Sequence, residues 1–269
     1  MNKTSTSVPT NLCGNQTAAD MLGEFLPPEA VDDTWDWDAT VQVFNELRDR
    51  LEGVLQRALE RGGLWQTLVE PHVVAVLRAT PLGEPLSDIL KQVWERYYEI
   101  EPSIAIQPTF GAVLTTHLAA ATLAMHEILL RHGISAPESY RLIYDIGWRI
   151  YTQMAETPLL LASAFTRDPH KRLKLATDVF RAFPFGAPSY KWREVDSSDG
   201  AIAFDCIKCP VAEFFGNHKS SELCVQTFCR LDFPLAEKWG GQLQRTGTIA
   251  SGATQCDFRW KPRDPAAPP

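Results

Sequence analysis

Hydrophobic residues along the first two-thirds of the chain recur every three or four positions, as they do on the buried face of an α-helix. Helices are predicted where such a stripe begins at a capping residue or stops at glycine or proline. The helix over residues 110–131 is apolar almost all round, which predicts that it is buried at the centre. The predicted helices cover residues 38–61, 72–77, 86–100, 110–131, 136–157 and 169–183.

After Pro188 the hydrophobic period changes from that of a helix to that of a strand. Residues 190–195 and 201–207 are predicted as strands, with a turn at 197–200 between them. A helical turn over 211–215 and a helix over 221–237 follow, and 243–250 and 254–260 are predicted as strands joined by Ser251-Gly252. Helices first, then a small antiparallel sheet with inserted helices, predict an α+β fold.

Length and composition restrict the domain organisation and the partners. With 269 residues the chain can bury a substantial core. Residues 1–36 are predicted to be a polar leader, 37–261 a single α+β domain and 262–269 a disordered, proline-rich tail. The net charge of −7 argues against a nucleic-acid partner, because phosphate binding needs a basic surface.

The beginning of the chain shows no apolar run after its charged residue, so no signal peptide is predicted. The longest apolar window, 111–125, is too short to span a bilayer, and no membrane partner is predicted. We therefore expect a cytoplasmic protein with reduced thiols. A homo-oligomer is compatible with the sequence.

Five of the six cysteines lie between residues 201 and 260: Cys206, Cys209, Cys224, Cys229 and Cys256. Cys209 follows a predicted strand and precedes Pro210, which is favoured at the first position of a helix. The free N–H groups at a helix start stabilise a thiolate and lower its pKa. Cys209 is therefore the predicted nucleophile, with Cys229 and Cys256 as alternatives.

Redox, metal-binding and packing roles for these cysteines are less favoured but stay open. Cys206 and Cys209 have Cys-x-x-Cys spacing, yet the alternation places Cys206 inside the strand, which disfavours a thioredoxin-like redox pair. A zinc site formed by Cys209, Cys229 and Cys256 would lack the paired short spacings of structural zinc sites. Each cysteine could also be a small buried apolar residue. No metal and no cofactor are predicted.

Asp232 follows Cys229 by three residues, so the two side chains share a face of the predicted helix. A carboxylate on an apolar helix must reach a partner or solvent. Asp232 is predicted to bind a protonated substrate or orient a water molecule, with simple solvent exposure as the alternative. Cys256 and Trp260 share one face of the last strand, predicted to point inward, and Asp257 points the other way.

Four motifs in the last third of the chain together resemble the L-2-amino-thiazoline-4-carboxylic acid hydrolase family. They are Cys209-Pro210, Cys229-Arg-Leu-Asp232, Gly247-Thr248-Ile-Ala-Ser-Gly252 and Cys256-Asp257-Phe258. The resemblance implies a hydrolase that adds water to the ring of a small cyclic amidine such as 2-amino-thiazoline-4-carboxylate, giving a carbamoyl-cysteine.

Under this hypothesis a Cys209 thiolate attacks the amidine carbon, and Asp232 assists. Arg230 or Arg245 would pair with the substrate carboxylate. His117, in the central helix, and Thr248, in the glycine-flanked motif, are further candidate binding residues. For His117 a role as a core histidine with satisfied hydrogen bonds is the alternative.

Two other function classes stay open from the sequence alone. A non-catalytic small-ligand sensor of the same fold would keep the cysteines for packing or binding and would show no turnover. An enzyme of specialised metabolism that forms or modifies another small ring would share every motif described above. Turnover of a panel of cyclic amidines, thiazolines and lactams would separate the sensor from the enzymes.

Overall fold

Five helices precede the first strand in the computed structural model, which describes residues 64–263. The predicted leader, the helix over 38–61 and most of the predicted tail lie outside the described residues. The five helices are α1 (Leu64–Leu77), α2 (Leu86–Ile100), α3 (Phe110–Arg131), α4 (Ala136–Phe165) and α5 (Pro169–Ala182).

Three of these helices begin at a side-chain cap. Thr109, Ser135 and Asp168 precede α3, α4 and α5, and each side chain accepts a hydrogen bond from a backbone N–H of the first turn. The α3 helix stops just before Gly133, which has a φ of 79°. Local chemistry therefore sets these four helix boundaries.

The central position predicted for α3 is confirmed, because α3 packs against α2, α4 and the later helix at Pro210–Asn217. Its 22 residues are long and apolar enough, by length and composition, to cross a membrane. However, 61% of its most apolar window is buried by the rest of the described structure. A long, apolar and mostly buried helix is typical of the core of a globular domain.

The prediction that α4 ends before Pro158 is wrong, because the helix continues to Phe165 with Pro158 inside it. A proline within a helix removes one hydrogen bond and costs about 3 kcal/mol. Here the Trp239 indole donates to the Ala155 carbonyl at 3.0 Å, in the turn that the proline disturbs. Packing of α4 against α5 holds the remainder of the helix in place.

The predicted α+β fold is confirmed: a four-stranded antiparallel sheet with short helices follows α5, and its strand order is β1-β2-β4-β3. The strands are β1 (Lys191–Glu194), β2 (Ile202–Lys208), β3 (Gly241–Gln244) and β4 (Cys256–Pro262). Between β2 and β3 lie α6 (Pro210–Asn217), α7 (Ser221–Thr227), a 3-10 turn (Cys229–Leu231) and α8 (Asp232–Lys238).

The single helix predicted over 221–237 is wrong, because the chain breaks at the 3-10 turn Cys229–Leu231. Pro234 explains the break. In a continuous helix its ring would clash with the Arg230 carbonyl and leave that group without a donor. In the first turn of a new helix a missing N–H is tolerated, so α8 begins at Asp232.

The strand predicted over 243–250 is also wrong beyond Gln244. The carboxylate of Asp257 accepts the backbone N–H groups of Thr246 and Gly247 at 2.9–3.0 Å and takes them out of the sheet. A 3-10 turn, Ile249–Ser251, follows and ends at Gly252, whose φ is 92°. A left-handed backbone of this kind favours glycine.

Candidate functional site

One face of the sheet and helices α4, α5, α7 and α8 enclose a cavity of about 100 Å³. Half of the residues that line it are aromatic. Its polar groups include those of Tyr151, Arg181, Asp232 and Arg245, together with a cluster of thiols. The thiols are those of Cys206, Cys209, Cys224, Cys229 and Cys256. We call this space the cysteine cavity.

Strand register brings two of these thiols together. Cys206 on β2 pairs with Cys256 on β4, so both side chains project from the same sheet face. The inward direction predicted for Cys256 is confirmed, because its side chain is buried on the cavity wall while Asp257 binds the loop on the other side. Burial raises the pKa of the Cys256 thiol to about 12.

Cys209 occupies the predicted N-cap of α6, and its sulfur accepts a hydrogen bond from the Ala212 N–H at 3.4 Å. The expected lowering of its pKa is nevertheless wrong. Burial raises the pKa of the Cys209 thiol well above its usual range, and the neighbouring Cys206 adds to this effect. One long N–H contact does not offset removal of the thiolate from water. The helix terminus therefore does not activate Cys209.

Cys229 is the cavity cysteine whose pKa is shifted downward. The first cause is a hydrogen bond from the thiol of Cys224, and the positive charge of Arg245 also lowers the pKa. A hydrogen bond with the Thr248 side chain favours the thiolate as well, while burial and the negative charge of Asp232 raise the pKa and oppose these three effects. The break between α7 and α8 places Cys229 at this point, so the proline that interrupts the helix helps to create the site.

Asp232 lies in the same cavity and is held by two partners. The Tyr151 hydroxyl donates to its Oδ1 at 2.9 Å, and Arg245 Nη1 donates to its Oδ2 at 2.6 Å. Burial raises the pKa of Asp232, although the Arg245 charge works against that rise. Arg245 Nη2 also donates to the carbonyl oxygen of Cys229. The predicted proximity of Cys229 and Asp232 therefore arises through Arg245, not along one continuous helix.

The other predicted binding residues lie elsewhere. Arg230 is exposed and donates to Gln226 at 3.0 Å, so the structure does not bring it to the cavity. His117 is on α3, and its Nδ1 is 2.7 Å from the Tyr97 hydroxyl. Burial lowers the pKa of His117 to about 4, as expected for a neutral core histidine. Thr248 is buried behind Cys229, where its hydroxyl caps the turn ending at Ser251.

Sequence reasoning did not select Tyr151, Arg181 or Trp260, although all three line the cavity. Their positions carry only weak signals. Arg181 is a cation in the last turn of a helix, where it ordinarily complements the dipole. Strand alternation places Trp260 on an inward face. In the structure its indole N–H has no hydrogen-bond acceptor within the described residues, which the alternation does not predict.

A second cavity of about 70 Å³ adjoins the first, and Tyr151, Phe185 and Phe228 line both. The remainder of its wall comes mainly from aliphatic side chains of α1, α3 and α4. Within residues 64–263 no group of three or more histidine, cysteine, aspartate or glutamate side chains is arranged to hold a metal ion. The expectation that activity needs no metal stays a prediction.

Comparison with known proteins gives one match. No curated protein and no solved structure is significantly similar to the chain. Residues 139–260 match the family model of L-2-amino-thiazoline-4-carboxylic acid hydrolase. This segment begins in α4 and ends in β4, so it contains every residue that lines the cysteine cavity. The resemblance to the L-2-amino-thiazoline-4-carboxylic acid hydrolase family, inferred from the cysteine motifs, is thus confirmed over residues 139–260.

Proposed function

We propose that this protein hydrolyses a small cyclic amidine of the 2-amino-thiazoline-4-carboxylate type, with Cys229 as the nucleophile. The observation that carries the proposal is the environment of Cys229, because its thiol has a lowered pKa beside a guanidinium and a carboxylate. Catalytic cysteines act as thiolates and occur in electropositive surroundings of this kind. The match to the hydrolase family supports the substrate class.

The size and lining of the cavity support a small ring as substrate. A dry cavity of about 150 Å³ in a protein can take up benzene. The cysteine cavity, at about 100 Å³, is somewhat smaller, which is the scale of the five-membered ring itself. Aromatic walls would bury the ring, while the few polar groups would orient it.

In the first step the Cys229 thiolate adds to the amidine carbon, between the ring sulfur and the nitrogens. The electrons of the C=N bond move onto nitrogen, which takes a proton. The bond from this carbon to the ring sulfur then breaks, because a thiol is a better leaving group than an amine of higher pKa. The ring sulfur leaves and is protonated, and the carbon stays attached to Cys229.

In the second step a water molecule adds to the same carbon and the Cys229 sulfur departs. The product is a carbamoyl group on the amino nitrogen of cysteine, and the whole reaction consumes one water. Asp232 would accept a proton from this water; its position on the cavity wall and a pKa raised by burial support this role. Arg245 would keep the carboxylate oriented beside Cys229.

Cys209 and Cys256 fit the nucleophile's role less well, although both lie on the same wall. The pKa of each thiol is raised by burial, so a thiolate is rare at neutral pH. Their N–H contacts, from Ala212 to Cys209 and from Ile249 to Cys256, support a role in packing the cavity wall.

The deciding experiment is incubation of the full chain with 2-amino-thiazoline-4-carboxylate and detection of products by mass spectrometry. A product heavier than the substrate by one water, together with the appearance of a free thiol, is the expected result. The position of the carbamoyl group, on nitrogen or on sulfur, identifies the bond that breaks. Tight binding of 2-amino-thiazoline-4-carboxylate without any product would instead favour a non-catalytic small-ligand sensor.

A further inference from the structure

We propose that Arg181 and Trp260 form the subsite that binds the carboxylate of the substrate. This inference rests on the proposed function for the identity of the ligand. The subsite itself follows from two buried N–H donors that lack an acceptor and that belong to residues lining the cavity. Neither Arg230, which is exposed, nor Arg245, which is engaged with Asp232 and Cys229, fills this role.

Both donors are buried and unsatisfied. Arg181 Nε and Trp260 Nε1 have no hydrogen-bond partner within the described part of the chain, and both residues line the cysteine cavity. Leaving a buried donor without a partner costs free energy, so unsatisfied buried donors are rare in folded proteins. A ligand that accepts from both donors would remove this cost. Two further orphan atoms, Thr152 Oγ1 and Arg172 Nε, are not on this wall.

The Arg181 guanidinium is held rigidly with one edge unused. Nη1 donates to Glu194 and Nη2 donates to Asp178, each at 2.5 Å. The carbon centre of the guanidinium lies 4.1 Å from the centroid of the Phe204 ring. These contacts fix the plane of the group and leave Nε as the unsatisfied donor.

Trp260 reaches the same cavity from β4. Its ring is stacked with Phe258 at 6.3 Å, and Phe258 is stacked with Phe204 at 5.5 Å. The Arg181 guanidinium lies over Phe204 at one end of this row of aromatic rings, and Trp260 forms the other end. The two unsatisfied donors therefore belong to the two ends of one aromatic row that lines the cavity.

The chemistry of the two donors selects the end of the substrate that binds there. Neither a guanidinium nor an indole can accept a hydrogen bond. An amino group or a protonated amidine would therefore leave them unsatisfied, whereas a carboxylate offers two oxygens that accept only. If the carboxylate binds at this subsite, the amidine end of the substrate would face the part of the wall formed by Cys229 and Asp232.

The charged side chains of the cavity wall also favour binding of a carboxylate. Two guanidinium groups, Arg181 and Arg245, face the cavity together with one carboxylate, Asp232. Asp178 and Glu194 pair with Arg181 but are not among the residues that line the cavity; the Glu194 side chain is 73% exposed, whereas that of Asp178 is 17% exposed. Solvent screening weakens the influence of an exposed carboxylate on a buried anion.

The test compares binding of 2-amino-thiazoline-4-carboxylate with binding of 2-aminothiazoline, the same ring without the carboxylate, by calorimetry. Wild type, Trp260→Phe and Arg181→Lys are measured. Phenylalanine keeps a ring in place and removes the N–H, while lysine keeps the charge and removes Nε. A hydrogen bond to a charged group is worth roughly tenfold or more in affinity. The preference is the ratio of the affinity for 2-amino-thiazoline-4-carboxylate to that for 2-aminothiazoline. This ratio should be at least about tenfold smaller in each variant than in wild type.

Trp239→Phe is the matched control. Trp239 lines the same cavity, but its indole N–H already donates to the Ala155 carbonyl. This variant should keep the wild-type preference for the carboxylate and should be less stable, because it leaves that carbonyl without its donor. Thermal unfolding should show no comparable loss in Trp260→Phe, whose N–H has no partner to lose.

Binding and turnover separate this inference from the proposed function. A wild-type protein that prefers the carboxylate, and loses this preference in both variants, supports the subsite even if no ring is opened. Equal affinity of wild type for the two ligands, or binding of neither, overturns the subsite. An unchanged preference in Trp260→Phe and Arg181→Lys overturns it as well.

Discussion

Arg245 and Asp232 form an ion pair that is almost closed to solvent. Arg245 Nη1 lies 2.6 Å from Asp232 Oδ2, and the two side chains are 5% and 14% exposed. Taking both charges out of water is expensive, so such a pair is weak support for stability by itself. Its effect here is local: the same guanidinium donates to the carbonyl of Cys229 and lowers the pKa of that thiol.

Asp232→Asn should reduce turnover of the thiazoline at least about a hundredfold, the usual scale for losing a positioned acid–base group. Asparagine keeps the size of the side chain and removes its charge, so Arg245 is left buried without a counter-ion. Removing one partner of a buried pair can cost about 3–5 kcal/mol of unfolding free energy. Steady-state kinetics and urea unfolding measure the two effects.

Asp145→Asn is the control for that substitution, because Asp145 forms an exposed ion pair with Arg141 on α4. An exposed pair contributes less than about 1 kcal/mol, and Asp145 does not line the cavity. Turnover should be unchanged in this variant. Normal turnover in Asp232→Asn would remove the carboxylate from the proposed chemistry.

Cys229→Ser should abolish turnover and leave the fold intact, since serine is close in size to cysteine but is not ionised at neutral pH. In the wild-type protein Cys229 should also be the thiol that iodoacetamide modifies first, because the thiolate is the reactive form. Peptide mapping by mass spectrometry identifies the modified residue.

Cys209→Ser distinguishes the two candidate nucleophiles. Its thiol has a raised pKa, so we expect this variant to retain turnover and to be modified at Cys229 as in wild type. Loss of activity in Cys209→Ser, with Cys229→Ser still active, would restore the assignment that the helix N-terminus suggested.

Arg245→Gln should move the ionisation of Cys229 to higher pH. The positive charge of Arg245 lowers the pKa of this thiol, so its removal raises that pKa and fewer molecules carry a thiolate at pH 7. The rate of Cys229 alkylation as a function of pH reports the ionisation even in an inactive variant. A curve that coincides with that of wild type would show that Arg245 does not act on Cys229.

Alkaline pH should destabilise the fold through the other cavity thiols. The folded-state pKa values of Cys206, Cys209, Cys224 and Cys256 are raised. Above an unfolded-state pKa of about 8.5 the unfolded chain releases these protons and the folded chain keeps them. The unfolding free energy should then fall by about 1.4 kcal/mol per pH unit for each thiol.

Urea unfolding between about pH 7.5 and 9.5 measures this dependence. Cys229 contributes with the opposite sign, because its lowered pKa adds stability that is present above the unfolded-state pKa and lost as pH falls. Replacing Cys256 by alanine should make the alkaline slope shallower. A flat profile in the wild-type protein would contradict the raised pKa values.

The sequence determined where α3 and α5 begin and which face of the last strand points inward, since both follow from local pattern and capping. Asp168 caps α5 and Thr109 caps α3 because each side chain reaches an N–H three residues ahead. Cys256 and Trp260 share a face because strand side chains alternate. These properties depend on neighbouring residues and need no knowledge of the rest of the chain.

Tertiary structure decided which of the cavity thiols has a lowered pKa. Cys209 has the local feature that lowers a thiol pKa, a helix start, yet burial outweighs it. Cys229 has no such local feature, and its pKa is lowered by Cys224 from the preceding helix and by Arg245 from beyond β3. Burial and charge act through space, and Arg245 is 16 residues from Cys229 along the chain. Periodicity and spacing describe only neighbours in sequence, so they could identify the thiols but not rank them.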